Sequence, residues 1–256
     1  LEEVTVDVRD FVATVEIHRA PHNFFDFNLI RALASAYEAL DEDDDCRAIV
    51  LCSEGKSFCA GANFAARDSQ PSGEQRDQSG QLYIEAVRMF RTGKPVVAAV
   101  QGAAVGGGLG LAMSADFRVT CEEGRFAANF ARLGFHHGFG LTVTLPRAIG
   151  VLATEMMFYT GRRVKGAEAV DMGMADKLVP LAEVRSAAWD LAREFAISAP
   201  RAVQEIRKTM RGDLADRVRA ATDHELAVQS ELRDGEDFKE GVRAMSERRQ
   251  PNFTGR

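Results

Sequence analysis

The chain has 256 residues, 46% of them hydrophobic and 27% charged, with a net charge of -6. That length supports one large core, or a core with a smaller appended subdomain, and the composition is that of an ordinary soluble globular protein. The acidic balance and the lack of a long basic run argue against a nucleic-acid partner, and no stretch nears the roughly 18 apolar residues of a membrane span.

The amino end, Leu1-Glu2-Glu3-Val4, shows neither the basic nor the apolar segment of a signal peptide. Alternation at Val4, Val6 and Val8 and again at Val12, Val15 and Ile17, broken at Arg9-Asp10, predicts a hairpin. From Phe27 the period becomes helical, with Ile30, Leu33, Tyr37 and Leu40 on one face and the acidic run Asp41 to Asp45 closing the helix in solvent. Ala48 to Cys52 is a continuous apolar run suited to a strand buried on both faces. The polar stretch Arg67 to Gln78 reads as a mobile solvated loop. A second helix follows, with Leu82, Ala86, Met89 and Phe90 inward, and then a second buried strand, Pro95 to Val100. Helices and strands in alternation with short links predict stacked α/β units. The four cysteines (Cys46, Cys52, Cys59, Cys121) stand singly without metal-ligand spacing, and read as reduced, buried thiols of a cytoplasmic protein with no metal site.

Beyond Gly140 strand signals thin out. Leu152, Met156 and Tyr159 mark a helix stopped at Gly161, Ala167 to Met172 a short one stopped at Gly173, and Lys177 to Val179 a last short strand. From Val184 the chain reads as helix: stripes at Val184, Ala188, Leu191 and Phe195, then Val203, Ile206 and Met210, and finally Phe238, Val242 and Met245, with Thr222 and Glu225 spaced as a capping box. The expected organisation is an α/β core over residues 1–200 and a helical region over 201–256.

Two segments carry the chemistry. Gly55-Lys56-Ser57-Phe58-Cys59-Ala60-Gly61-Ala62-Asn63-Phe64 and Gln101-Gly102-Ala103-Ala104-Val105-Gly106-Gly107-Gly108-Leu109-Gly110 each leave a buried strand through small residues towards a helix start. Small residues let a ligand touch the backbone itself, and free amides at a helix start carry positive partial charge. Two such ends side by side would offer two convergent donors to a developing oxyanion. A tight turn is the bland alternative. A phosphate cradle is disfavoured, because neither segment fits GxxxxGK[ST] and Leu111 stands where GxGxxG needs its last glycine.

The ordered set of Ala48-Ile49-Val50-Leu51 with Gly55 to Ala62, Lys94 to Gly108, and the ending Glu240 to Phe253 resembles the crotonase (enoyl-CoA hydratase/isomerase) superfamily along nearly the whole chain. The resemblance implies an α/β fold, a spiral of ββα units with a C-terminal helical oligomerisation region, assembled as a homotrimer or homohexamer. It implies an acyl-CoA substrate, with coenzyme A entering as part of that substrate and no separate cofactor. It places the oxyanion hole at the Ala62 and Gly107 amides, and the coenzyme near His22, Asn23, Phe58, Ala60 and Gly61, with Gly106, Gly110 and Phe130 also at the substrate.

The sequence departs from the hydratase pattern at both proton-carrying positions: the resemblance puts the two glutamates at Gly110 and Phe130, and neither can move a proton. Positioned acids and bases each contribute about 10²–10⁴-fold, so ordinary hydration is not expected. What remains nearby is His136 and His137, of which at least one is expected to line the cleft, titrating where it can accept a proton; Asp68 and Glu74 are the next candidates. Phe130, Phe135 and Phe139 read as an apolar pocket or as plain core. The functional readings are an acyl-CoA lyase, isomerase, decarboxylase or thioesterase, or else a catalytically silent acyl-CoA-binding or oligomer-partner protein.

Overall fold

The structure is a computed structural model that describes residues 3–63 and 72–256, with side chains in the second stretch from Ser79 onward. The expected hairpin is present as β1 (Val4–Arg9) and β2 (Val12–Ile17), paired antiparallel from Val4↔Ile17 to Arg9↔Val12. Asp10 and Phe11 turn it, both at positive φ (50° and 65°), the sense that matches strand twist. Helix α1 (Phe27–Asp41) starts where the Asp26 carboxylate accepts the Leu29 amide at 2.9 Å. Then come β3 (Ala48–Ser53), β4 (Ser57–Cys59) and α2 (Ser72–Arg91), followed by β5 (Val96–Val100), β6 (Ala103–Val105) and α3 (Gly107–Ser114). From Ser72 the polar stretch is thus helix rather than loop. Asp68 and the Glu74 side chain lie outside the described residues.

The next repeat is β7 (Phe117–Thr120) and β8 (Arg125–Ala127), and two further strands are β9 (Arg163–Lys165) and β10 (Lys177–Leu178). From β3 onward the strands of each ββ pair part company. One sheet runs β1-β2-β3-β5-β7-β10 and the other β4-β6-β8-β9, with every neighbouring pair parallel except β1 with β2 and β8 with β9. This is the expected spiral of ββα units, and its effect is to stack the ends of β4 and β6 side by side.

The long apolar strands are buried on both faces, as their unbroken hydrophobicity requires. Ile49 and Leu51 point into the main core with Leu29, Leu33 and Phe58, while Val50 and Cys52 point the other way with Val97, Ala99 and Val119. That second face is covered by α7 (Val184–Ala196), whose Ala188, Ala192 and Ala196 allow close approach to the sheet. All four cysteines are free and buried.

The remaining helices are α4 (Leu141–Ile149), α5 (Val151–Thr160), α6 (Gly166–Asp171), α8 (Pro200–Arg211), α9 (Leu214–Arg233) and α10 (Glu236–Ser246). Two apolar stripes prove to face outward, and one expectation, the capping box, changes. Leu152, Met156 and Tyr159 do share a face of α5, but it is the outer one, 82%, 54% and 75% exposed. Ile206 and Met210 of α8 are likewise exposed. Thr222 and Glu225 cap nothing of their own: both are buried in the middle of α9. What docks α8 is charge, since Arg207 Nε and Arg211 Nη1 meet the Asp116 carboxylate at 2.9 and 2.6 Å. Among the described residues no helix is long and apolar enough to cross a membrane.

Candidate active site

A cavity of about 260 Å³ opens where the ends of β4 and β6 meet α9 and α10. Its strand-end wall carries Ala60, Gly61, Ala62 and Asn63 beside Gly106 and Gly107. Gly61 is needed for that contact: it sits at φ +87°, and a Cβ on it would lie 2.7 Å from the Val105 carbonyl oxygen. The same point is only 3.8 Å from the Gly107 nitrogen. Ala62 pairs with Phe25 through the Phe25 amide and the Gly61 carbonyl (3.0 Å), which leaves its own amide outside the ladder. Gly107 is the first residue of α3, where an amide has no intrahelical acceptor. No backbone acceptor is bonded to either N–H among the described residues.

The other walls are mostly apolar. Phe25, Phe130, Phe135 and Phe139 line them with Leu82 and Leu133, and polar groups enter from Tyr83, Asn129, Gln229 and Arg233. Among the described lining residues none is Asp or Glu. Among the described residues no cluster of His, Cys, Asp and Glu is placed to hold a metal. The Cys59 thiol behind this wall is no nucleophile, because burial pushes its pKa up to about 12.

Of the residues singled out from the sequence, Ala60, Gly61, Ala62, Gly106, Gly107 and Phe130 are brought together around this cavity. Four others are not. Asn23 is fully buried and holds the loop, donating to the Glu54 and Ser57 carbonyls at 2.9 and 2.7 Å. His22 is exposed and contributes its carbonyl to the Ala60 amide (2.9 Å). Phe58 is core. Gly110 is covered: a Cβ there would fall 2.5 Å from Cβ of Phe139, which occupies that space at φ +62°.

Neither His136 nor His137 is among the described lining residues, which corrects the expectation that one faces the cleft. The His137 ring stacks on Phe158 (3.6 Å between centroids) and meets the edge of Phe130 at 5.3 Å, so Phe130 stands on the cavity side. Its Nδ1 is buried without a hydrogen-bond partner. Burial, and secondarily the charge of His136, push its pKa down to about 3. The reason for the misplacement is the loop's anchorage. Gln229 Nε2 donates to the His136 and His137 carbonyls at 3.0 and 2.9 Å, and the Glu225 carboxylate accepts from the Gly140 and Thr142 amides and the Thr142 hydroxyl. Glu225 thereby caps α4 across the molecule. Residues 225, 229 and 233 lie one turn apart on one face of α9; Glu225 and Gln229 hold the loop, and Gln229 and Arg233 line the cavity. Only the four-residue spacing could have betrayed this stripe.

A folded-state pKa of about 3 lies below the unfolded value of about 6.5. The unfolded chain therefore binds the extra proton in that interval, and stability present above about pH 6.5 falls as pH drops, by at most about 1.4 kcal/mol per unit. Urea unfolding at pH 7 and pH 5 is expected to show the wild type losing ground to His137→Phe by about 2 kcal/mol. Equal pH slopes for the two proteins would contradict this.

A family model described as Enoyl-CoA hydratase/isomerase matches residues 7–256. The chain is 30% identical over 259 residues to a probable enoyl-CoA hydratase of Bacillus subtilis, covering 100% of both. It is 31% identical over 258 residues to an (E)-benzylidenesuccinyl-CoA hydratase of Thauera aromatica, covering 98% of this chain and 99% of the relative. Among solved structures it superposes on an enoyl-CoA hydratase/isomerase from Pseudoalteromonas atlantica with a TM-score of 0.88 at 25% identity, over 99% of this chain and 100% of the other.

Proposed function

The chain belongs to the enoyl-CoA hydratase/isomerase family, and on that premise we propose that it is an enzyme acting on an acyl-CoA thioester, with the Ala62 and Gly107 amides donating to the thioester oxygen. One observation carries this reading: Ala62 and Gly107 line a single, largely apolar cavity, and no backbone acceptor is bonded to either amide among the described residues. Negative charge growing on that oxygen, in an enolate or a tetrahedral adduct, would be met by two fixed donors in a water-poor site, and loss of one such donor typically costs about 10²–10³-fold in rate. Coenzyme A enters as part of the substrate.

The proton chemistry is of a different kind from hydration. Gly110 and Phe130 stand where the resemblance puts the two glutamates, and Phe139 fills the space beside Gly110. Isomerisation, bond cleavage, decarboxylation and thioester hydrolysis all draw on the same oxyanion stabilisation without a water-activating carboxylate pair. The covering of Gly110 also favours a second reading, a catalytically silent acyl-CoA-binding protein. The exposed faces of α5 and α8 suit contact with further copies in a homotrimer or homohexamer.

The test is an acyl-CoA panel followed by mass spectrometry for turnover and by calorimetry for binding, with light scattering on the same sample. Thioesters are expected to bind in preference to their free acids, with turnover of at least one. Equal affinity for a thioester and its acid would overturn the acyl-CoA reading; binding without any turnover would select the silent protein. A monomeric mass at micromolar concentration would overturn the assembly.

A further inference from the structure

We infer that the acyl group accepted by this cavity ends in a carboxylate, and that Arg233 is the residue that meets it; the inference rests on the acyl-CoA reading above. Arg233 is the one charged residue among the described residues lining the cavity. It sits one turn beyond Gln229 on α9, and its guanidinium carbon lies 5.4 Å from the centroid of the Phe135 ring. Phe135 packs in turn on Phe238 of α10, at 4.9 Å between centroids. The cation is therefore held by the α9–α10 wall, whereas Ala62 and Gly107 belong to the strand-end wall. A thioester carbonyl at the two amides sends its acyl chain into the space that both walls enclose.

A plain hydrocarbon chain has no use for a guanidinium there. An alkyl tail pressed against it strips water from the charge and returns no hydrogen bond. A terminal carboxylate answers both needs, because it matches the planar fork of arginine with two parallel N–H···O bonds. The neighbouring polar groups point the same way. The Tyr83 hydroxyl donates to Gln229 Oε1 at 3.0 Å, and Gln229 Nε2 is committed to the His136 and His137 carbonyls. The Tyr83 donor is spent on Gln229 and the Gln229 donor on the loop, and among the described lining residues Arg233 is the donor whose charge suits an anionic end group. Arg233 has other interactions as well; a guanidinium with five N–H donors can keep them and still bind a carboxylate.

The test compares three pairs of thioesters that differ only in a terminal carboxylate or methyl: succinyl- with butyryl-CoA, glutaryl- with pentanoyl-CoA, and adipyl- with hexanoyl-CoA. Calorimetry on the wild-type protein is expected to show the carboxylate member of at least one pair binding about ten-fold tighter or more, the usual strength of a charge-assisted pair. Arg233→Met is expected to abolish or reverse that preference, and Arg233→Lys to weaken it. If the methyl member binds as tightly or tighter in every pair, or if Arg233→Met keeps the preference intact, the inference is wrong while the acyl-CoA reading stands. If no member outbinds free coenzyme A, the acyl-CoA reading falls and the inference with it. The wild-type comparison needs no variant to fold.

Discussion

Crotonyl-CoA is expected to be hydrated at no more than trace rate, at least about 10⁴-fold below a family hydratase assayed beside it, since two positioned proton carriers contribute about 10² or more each. The structure adds a second expectation. Replacing both positions by glutamate, Gly110→Glu with Phe130→Glu, should restore nothing, because a Cβ at position 110 would meet Phe139 at 2.5 to 2.9 Å through its Cβ, Cγ and Cδ1. Phe139 cannot readily step aside. Its φ of +62° is held between Gly138 and Gly140, and a Cβ on Gly138 would strike the Tyr83 hydroxyl at 2.0 Å. The loop is further pinned by Gln229 and Glu225. The double variant should therefore fold poorly, and Phe130→Glu adds a carboxylate to a wall of phenylalanines. Adding Phe139→Gly is the change that makes room, because it removes the Cβ at 2.5 Å along with the ring and suits the positive φ. Steady-state assay of the wild type, the double and the triple variant decides the matter; robust hydration by the unmodified protein would show that other groups move the protons.

Asp116→Ala should cost about 3–5 kcal/mol of stability, the usual price of breaking a buried ion pair from one side. The Asp116 carboxylate accepts from the Val96 amide at 2.8 Å and pairs with Arg207 and Arg211. Arg118, also buried, lies close enough to feel the same charge. Burial alone would raise the Asp116 carboxyl, but Arg207 and Arg211 outweigh it and hold the group below its usual range. Truncation leaves two arginines, 9% and 11% exposed, without their counter-charge and frees α8 from the sheet. The sign with pH follows: this stability is present above the ordinary aspartate pKa of about 4 and is lost as pH falls through the lower folded value. Urea denaturation at pH 7 measures it, with Asp116→Asn expected to fall between wild type and Ala. A loss under about 1 kcal/mol would mean that the arginines find other partners.

Much was legible before any coordinates. Ala48 to Ser53 and Val96 to Val100 are strands buried on both sides because an unbroken apolar run admits no solvent face. The strand pattern gave stacked α/β units and the family resemblance implied their spiral arrangement; the small residues meet at one cavity because strands paired in parallel end at the same level. The three- and four-residue strands β6 to β9 were not legible, being too short to carry a period. Face was harder than element. Leu152, Met156 and Tyr159 share a side of α5 by helical spacing, yet spacing says only which residues lie together, not whether anything covers them. Glu225 illustrates the converse: read locally it suggested a cap for its own helix, and folded it caps α4 from 85 residues away. Local pattern determined the elements and the two amide-bearing segments, since hydrogen-bond geometry and side-chain period act over a few residues. Only tertiary packing decided that Phe139 covers Gly110, that His137 packs between Phe130 and Phe158, and that Gln229 and Arg233 join the site, because each depends on an approach that local pattern does not specify.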